Sequence, residues 1–156
     1  MEEFNIAGLK INQLGYVYKD IEKQAKLMED NLGLQKIVFL DNPDLPAKYR
    51  GKDTKIHIKI GFSKFGDLQV ELIQLIEGEC IYKEFLESGN EGLQHFGINV
   101  ENLEPFIAKM QKRGFEMVHS GQISSAVYAY FDTRDIFGII LEFIETKKKP
   151  RKRRNK

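Results

Sequence analysis

The chain writes one pattern twice, and a duplicated half-domain is the feature that most limits its fold. Gln13-Leu14-Gly15-Tyr16-Val17-Tyr18-Lys19-Asp20-Ile21 aligns without a gap on His95-Phe96-Gly97-Ile98-Asn99-Val100-Glu101-Asn102-Leu103, so Gln13 falls on His95 and Gly15 on Gly97. Each copy then runs through an apolar-periodic segment to a glycine, Gly33 or Gly114. Each closes on a strand-like run holding one glutamate, Val70-Glu71-Leu72-Ile73 and Leu141-Glu142-Phe143-Ile144. A chain of 156 residues suits one domain, and half-domains of roughly 70 residues bury too little surface to stand alone. If the two copies face each other, Gln13, Glu71, His95 and Glu142 meet near the axis between them. Those are metal-ligating residue types, and the repeat predicts a metal site there.

The local signals repeat as well. Lys10 to Tyr18 has strand character, and Ile21 to Asn31 has helical spacing, with Asp20 as N-cap and Gly33 as the stop. Leu34 to Leu40 reads as a strand, and Asp41 to Asp53 as a loop with a Tyr49-Arg50-Gly51-Lys52 turn. Strands follow at Ile56 to Phe62 and Leu68 to Ile76. The second copy reads as strand Gln94 to Val100, helix Leu103 to Arg113, and strands Phe115 to His119, Ala126 to Asp132 and Ile139 to Ile144. The fold class predicted is α+β. Two tandem β-α-β-β-β modules, about 9–78 and 92–145, form a curved mixed sheet around a metal-binding cleft in a single 9–145 domain. Glu71 follows Gln13 at a longer spacing than Glu142 follows His95, which the Asp41 to Asp53 insertion accounts for.

Composition narrows the function classes. The single cysteine, Cys80, excludes an internal disulfide and a thiolate cluster, so a metal must be held by oxygen and nitrogen. Eight of the 24 basic residues fall in Lys147 to Lys156, so the net charge of +1 hides an acidic body unlike a nucleic-acid-binding domain. Residues 146–156 read as a basic, solvated tail. Nuclear targeting, or contact of that tail with nucleic acid or anionic membrane, is the lesser alternative. No apolar run has the length of a membrane span and no signal-peptide layout opens the chain, which predicts a cytoplasmic protein.

Strand alternation puts Gln69, Glu71 and Ile73 on one face and Val70 and Leu72 on the other. In the last strand Glu142 shares a face with Ile140 and Ile144, opposite Leu141 and Phe143. The apolar faces belong under the helices, leaving both glutamates on the concave inner side. A carboxylate in so apolar a strand needs a partner or a metal. Gln69 is a second choice of ligand. Gln94 should point away from His95, and His57 and His119, which lack ligand-type repeat partners, read as solvated or sheet-surface residues.

On these residues the chain resembles the vicinal oxygen chelate superfamily, which includes glyoxalase I, methylmalonyl-CoA epimerase, extradiol dioxygenases and bleomycin-resistance proteins. The resemblance spans about residues 9 to 145. It rests on Gln13 with Asp20 seven residues on, the Val70-Glu71-Leu72 run, the strand from His95 to Val100, and Gly138 four residues before Glu142. It implies Gln13, Glu71, His95 and Glu142 as ligands of a divalent ion (Zn, Ni, Co, Mn or Fe), as in the zinc type of glyoxalase I. It also implies a homodimer, and a ligand glutamate that serves as base: Glu142 first, with Glu71 acting from the opposite face. The arginines that grip glutathione in that enzyme are replaced here by Val17 and Glu91, a departure that points away from a glutathione adduct.

The expected activity is therefore removal of a proton next to a carbonyl, as a glyoxalase-like lyase or an epimerase-like isomerase acting on a small carbonyl, thioester or carboxylate compound. The alternative is a binding protein that sequesters a small molecule in the same cleft. Arg50 and Lys52 in the inserted loop, with Tyr128 and Tyr130 on one strand face, are the candidate substrate contacts.

Overall fold

Residues 5–148 are described by a computed structural model. The first module comprises β1 (Gln13–Val17), α1 (Ile21–Leu32), β2 (Val38–Tyr49), β3 (Lys52–Phe65) and β4 (Leu68–Glu77). A linker helix, α2 (Ile81–Glu87), leads to β5 (Gly92–Asn99), α3 (Leu103–Lys112), β6 (Met117–Ile123) and β7 (Ala126–Phe131). A short α4 (Arg134–Phe137) precedes β8 (Ile140–Thr146). The curved mixed sheet closes on itself as an eight-stranded barrel in the order β1-β4-β3-β2-β6-β7-β8-β5. Within each module the first and last strands pair in parallel, β1 with β4 and β5 with β8, and β1 joins β5 antiparallel at the seam.

The repeat extends to one cap on each helix, supplied by the module's last strand. Asp20 accepts a hydrogen bond from the Lys23 amide at the start of α1, and Gly33 ends that helix in the left-handed conformation at φ 67°. Gln74 accepts from the Ile21 amide, and Glu145 accepts from the Leu103 amide at the start of α3. Each of these residues lies three positions beyond its module's glutamate. The last strand thereby ties down the helix it packs beneath. Val70 and Leu72 sit with Ile21 and Ala25 of α1, while Leu141 and Phe143 sit with Leu103 and Met110 of α3. Burial of a side chain of this kind contributes about 1.5–3 kcal/mol.

Two elements differ from the sequence expectation. The Asp41 to Asp53 insertion is not a loop: it extends the β2–β3 hairpin, and the ladder absorbs Pro43 and Asp44 through an irregularity between Asn42 and Leu45. The expected turn does form, with Arg50 and Gly51 both at positive φ, the two-residue geometry that suits a twisted hairpin. Helix α2 had no assignment, because its periodic pattern is only seven residues long. Its Ile81 and Tyr82 insert among Val17, Ile56, Ile58, Ile73, Tyr130 and Ile140, so α2 plugs one end of the barrel. The basic tail lies, beyond Lys148, outside the described residues. Among the described residues no helix is long and apolar enough to cross a membrane.

Candidate metal centre

The closed seam brings the four candidate ligands together inside the barrel. Gln13, Glu71, His95 and Glu142 are all buried, on β1, β4, β5 and β8. His95 Nε2 lies 3.1 Å from Glu142 Oε2, 3.4 Å from Glu71 Oε2 and 3.3 Å from Gln13 Oε1. The donor atoms of Glu71, His95 and Glu142 all fall within 4.8 Å of one another.

Gln94 Oε1 lies 2.8 Å from His95 Nδ1, and an amide oxygen only accepts, so Nδ1 carries the hydrogen. The neutral ring then turns the lone pair of Nε2 toward three oxygens that are themselves acceptors. Glu71 Oε2 and Glu142 Oε2 are buried without a hydrogen-bond donor. Four acceptors facing one point are stable only around a cation. In the metal-free protein the cation is a proton: burial pushes the His95 pKa down, but Glu142 and Glu71 outweigh it and lift it to about 9. Three oxygens and one nitrogen also match the donor set of a divalent ion, so Glu71, His95 and Glu142 could hold one, with Gln13 beside them.

Tyrosines line the floor beneath this cluster. Tyr130 stands edge-on to the His95 ring with centroids 4.9 Å apart. Its hydroxyl hydrogen-bonds at 2.8 Å to Tyr82 of the plug helix, and it helps hold the Glu142 carboxylate charged. Burial raises the Glu142 pKa, against the opposing pull of His95. Above the cluster a cavity of about 420 Å³ opens toward Leu40, Asn42, Asn99, Ser124, Ser125 and Thr146, with Gln13, Gln69, Glu71, Glu142 and Tyr128 in its wall. A larger cleft of about 540 Å³ lies outside the cluster, beside Leu103 and Ile107 of α3, and shares only Tyr128 with the first.

The other residues singled out in the sequence are placed as follows. Gln69 stands at the cavity mouth, where it accepts a hydrogen bond from Gln13 Nε2 at 2.8 Å. Arg50 lies at the plugged end, bound to Glu84 of α2 at 2.9 Å and to Glu116 at 2.8 Å. Tyr49 and Arg134 also reach Glu84. Lys52 is exposed at the same hairpin turn. Neither Arg50 nor Lys52 lines the cavity, and among the described residues no lysine or arginine does. His57 stays at the surface against Asp41.

Two expectations need correction. His119 is buried, stacked on Tyr128 with centroids 5.7 Å apart, and its pKa is pushed down to about 4 by burial and by the nearby His95. Gln94 does not point away from His95. The β1–β5 register pairs Gly15 with His95 but Tyr16 with Leu93, so Gln94 is an extra residue in a bulge, where strict alternation fails. The contact of Gln94 with His95 was therefore invisible to a period-two reading. Tyr82 was missed for another reason, since it lies on a helix with no repeat partner.

The comparisons agree with this fold. The family model of the Glyoxalase/Bleomycin resistance protein/Dioxygenase superfamily matches residues 12–131, and the chain belongs to that superfamily. No curated protein sequence matches it significantly. Among solved structures, a hypothetical protein from Bacillus halodurans C-125 shares the fold with a TM-score of 0.70 at 22% identity, over 93% of this chain and 99% of that one. Methylmalonyl-CoA epimerase from Mycobacterium tuberculosis matches with a TM-score of 0.62 at 15% identity, over 88% of this chain and 87% of that one. A Streptomyces coelicolor methylmalonyl-CoA epimerase variant in complex with 2-nitronate-propionyl-CoA matches with a TM-score of 0.66 at 12% identity, over 91% and 99%.

Proposed function

We propose that this protein is a divalent-metal-dependent lyase or isomerase that removes a proton from carbon next to a carbonyl, in the manner of glyoxalase I or methylmalonyl-CoA epimerase. The observation that carries the reading is the pair of buried carboxylate oxygens, on Glu71 and Glu142, that meet His95 Nε2 without a hydrogen-bond donor of their own. Gln13, Glu71, His95 and Glu142 would hold the ion. A bound divalent cation supplies Lewis acidity, polarising a substrate oxygen and stabilising the enolate that forms when the neighbouring proton leaves.

The chain's own residues do the rest. Glu142 takes the proton: burial makes its carboxylate a stronger base than an exposed one, and the Tyr130 hydroxyl steadies it. Glu71 serves the opposite face of the planar intermediate, so two carboxylates allow a proton to leave from one side and return on the other. Ile60, Phe62 and Tyr128 give the cavity an apolar wall beside the cluster. The cavity's size fits a small acyl or oxo compound, and any larger carrier must extend past Ser124 and Ser125 at the mouth.

The test is elemental analysis of the purified protein beside a Gln13→Ala/His95→Ala double variant, followed by solvent-deuterium exchange into 2-oxo-aldehyde adducts and acyl-CoA epimers. Near-stoichiometric metal that vanishes in the variant, with metal-dependent exchange, supports the proposal. No metal after incubation with Zn, Ni, Co or Mn overturns it. Tight ligand binding with no exchange favours a sequestering role of the bleomycin-resistance type.

A further inference from the structure

We infer that Gln94 is a positioning residue that selects the tautomer of His95 and thereby aims Nε2 at the metal; the inference rests on the metal-binding reading above. The fold provides for it specifically. A regular β5 would send Gln94 to the opposite side of the sheet from His95, where the outer faces of the module pack under helices. The bulge between Gly15 and Tyr16 removes Gln94 from the β1 ladder, and the buried amide reaches its neighbour's ring instead. Its Oε1 sits 2.8 Å from Nδ1.

A neutral imidazole in water populates both N–H forms, and only the Nδ1–H form leaves Nε2 free to donate its lone pair. No other polar side chain is within hydrogen-bonding distance of Nδ1 among the described contacts, so the choice falls to Gln94. Its Nε2 is itself buried without a partner, a cost the fold carries while holding the carbonyl oxygen on the ring. Gln69 performs the matching operation on the first module's ligand. It accepts from Gln13 Nε2 and turns Gln13 Oε1 toward the cluster. Gln69 is exposed whereas Gln94 is buried, so water can replace the first contact and not the second.

The experiment compares wild type, Gln94→Leu, Gln94→Glu and Gln69→Leu in the full-length protein. Zinc affinity is measured by calorimetry, and the His95 tautomer by ¹⁵N–¹H correlation through the imidazole. Gln94→Leu should weaken zinc about 10–100-fold, the range for removing a hydrogen-bond partner of a ligating histidine, and the metal-free ring at high pH should become a tautomer mixture. Gln94→Glu should keep the Nδ1–H form and bind zinc far better than the leucine variant. Gln69→Leu should cost less than Gln94→Leu. A melting temperature of metal-free Gln94→Leu close to wild type separates positioning from a loss of fold. If wild type binds zinc and Gln94→Leu retains both affinity and tautomer, the inference is overturned alone. If wild type binds no zinc, the metal reading fails and takes the inference with it.

Discussion

His95 seats its imidazole directly on the backbone of Gly15, its cross-strand partner, and a Cβ at Gly15 would come 1.9 Å from Cε1 and 2.1 Å from Nε2 of the ring. The contact is mirrored in the other module: Gly97 pairs with Gln13, where a Cβ would come 2.8 Å from Gln13 Cβ and Oε1. Each module's glycine, two residues after its own ligand, clears room for the ligand of the other. Gly15→Ala should therefore push His95 out of the cluster, destabilise the fold by about 1–3 kcal/mol and weaken metal binding more than tenfold. Gly97→Ala should do less, since Gln13 has more rotatable bonds with which to yield. Thermal melting and metal titration of the two variants, side by side, test the asymmetry; equal losses would refute it.

Metal binding should release a proton. With no ion present His95 is protonated, its pKa raised from 6.5 to about 9 by the two carboxylates despite burial. The ion needs the neutral ring, so below about pH 9 the apparent affinity should fall by roughly tenfold per pH unit. The stability that His95 contributes to the metal-free fold has the opposite dependence. It is fully present below pH 6.5 and is lost as the pH rises through about 9. The metal-loaded fold has no such proton to lose. Calorimetry in two buffers of different ionisation enthalpy counts the protons released, and an affinity that does not change with pH across this window would rule out the protonated cluster.

Arg50 is expected to act on stability rather than on substrate. It bridges Glu84 of the plug helix and Glu116 of β6's approach, at the barrel end opposite the cavity. Its guanidinium is partly exposed, so Arg50→Ala should cost only about 1 kcal/mol, read as a small fall in melting temperature. The rate of solvent-deuterium exchange and its KM should not move. A raised KM with unchanged melting would assign Arg50 to substrate instead.

Much of this centre was legible in the sequence because it is written twice. The pairing of Gln13 with His95 and of Glu71 with Glu142 follows from alignment of one half on the other, and alternation, with the apolar faces assigned to the helices, put both glutamates on the inner face. The illegible parts have local causes. Gln94 escaped because one bulge shifts the side-chain period, and His119 because a lone histidine carries no sign of burial. Tyr82 escaped because it lies on a linker helix with no counterpart in the repeat. The prolines at 43 and 46 argued for a loop, yet Pro43 falls in the Asn42–Leu45 irregularity and Pro46 pairs with Lys55 just before the β2–β6 ladder begins at Ala47.

Glu142 and Glu71 occupy equivalent repeat positions but have different surroundings, and the difference predicts unequal roles. Tyr130 helps hold Glu142 charged, and Glu142 lies 3.1 Å from His95; Glu71 lies 3.4 Å away. A glutamine at either position keeps an oxygen for a metal but cannot accept a proton. Glu142→Gln should therefore lower metal-dependent solvent exchange by about 10²–10⁴-fold, the usual size of a lost general base, with metal still bound at reduced affinity. Glu71→Gln should spare exchange of a proton that leaves and returns on the Glu142 face, yet abolish inversion at a stereocentre. Following exchange by NMR and inversion by polarimetry on the same acyl-CoA epimer separates the two carboxylates. Equal loss of both signals in both variants would show that they act as ligands only, and would assign proton removal to a different group.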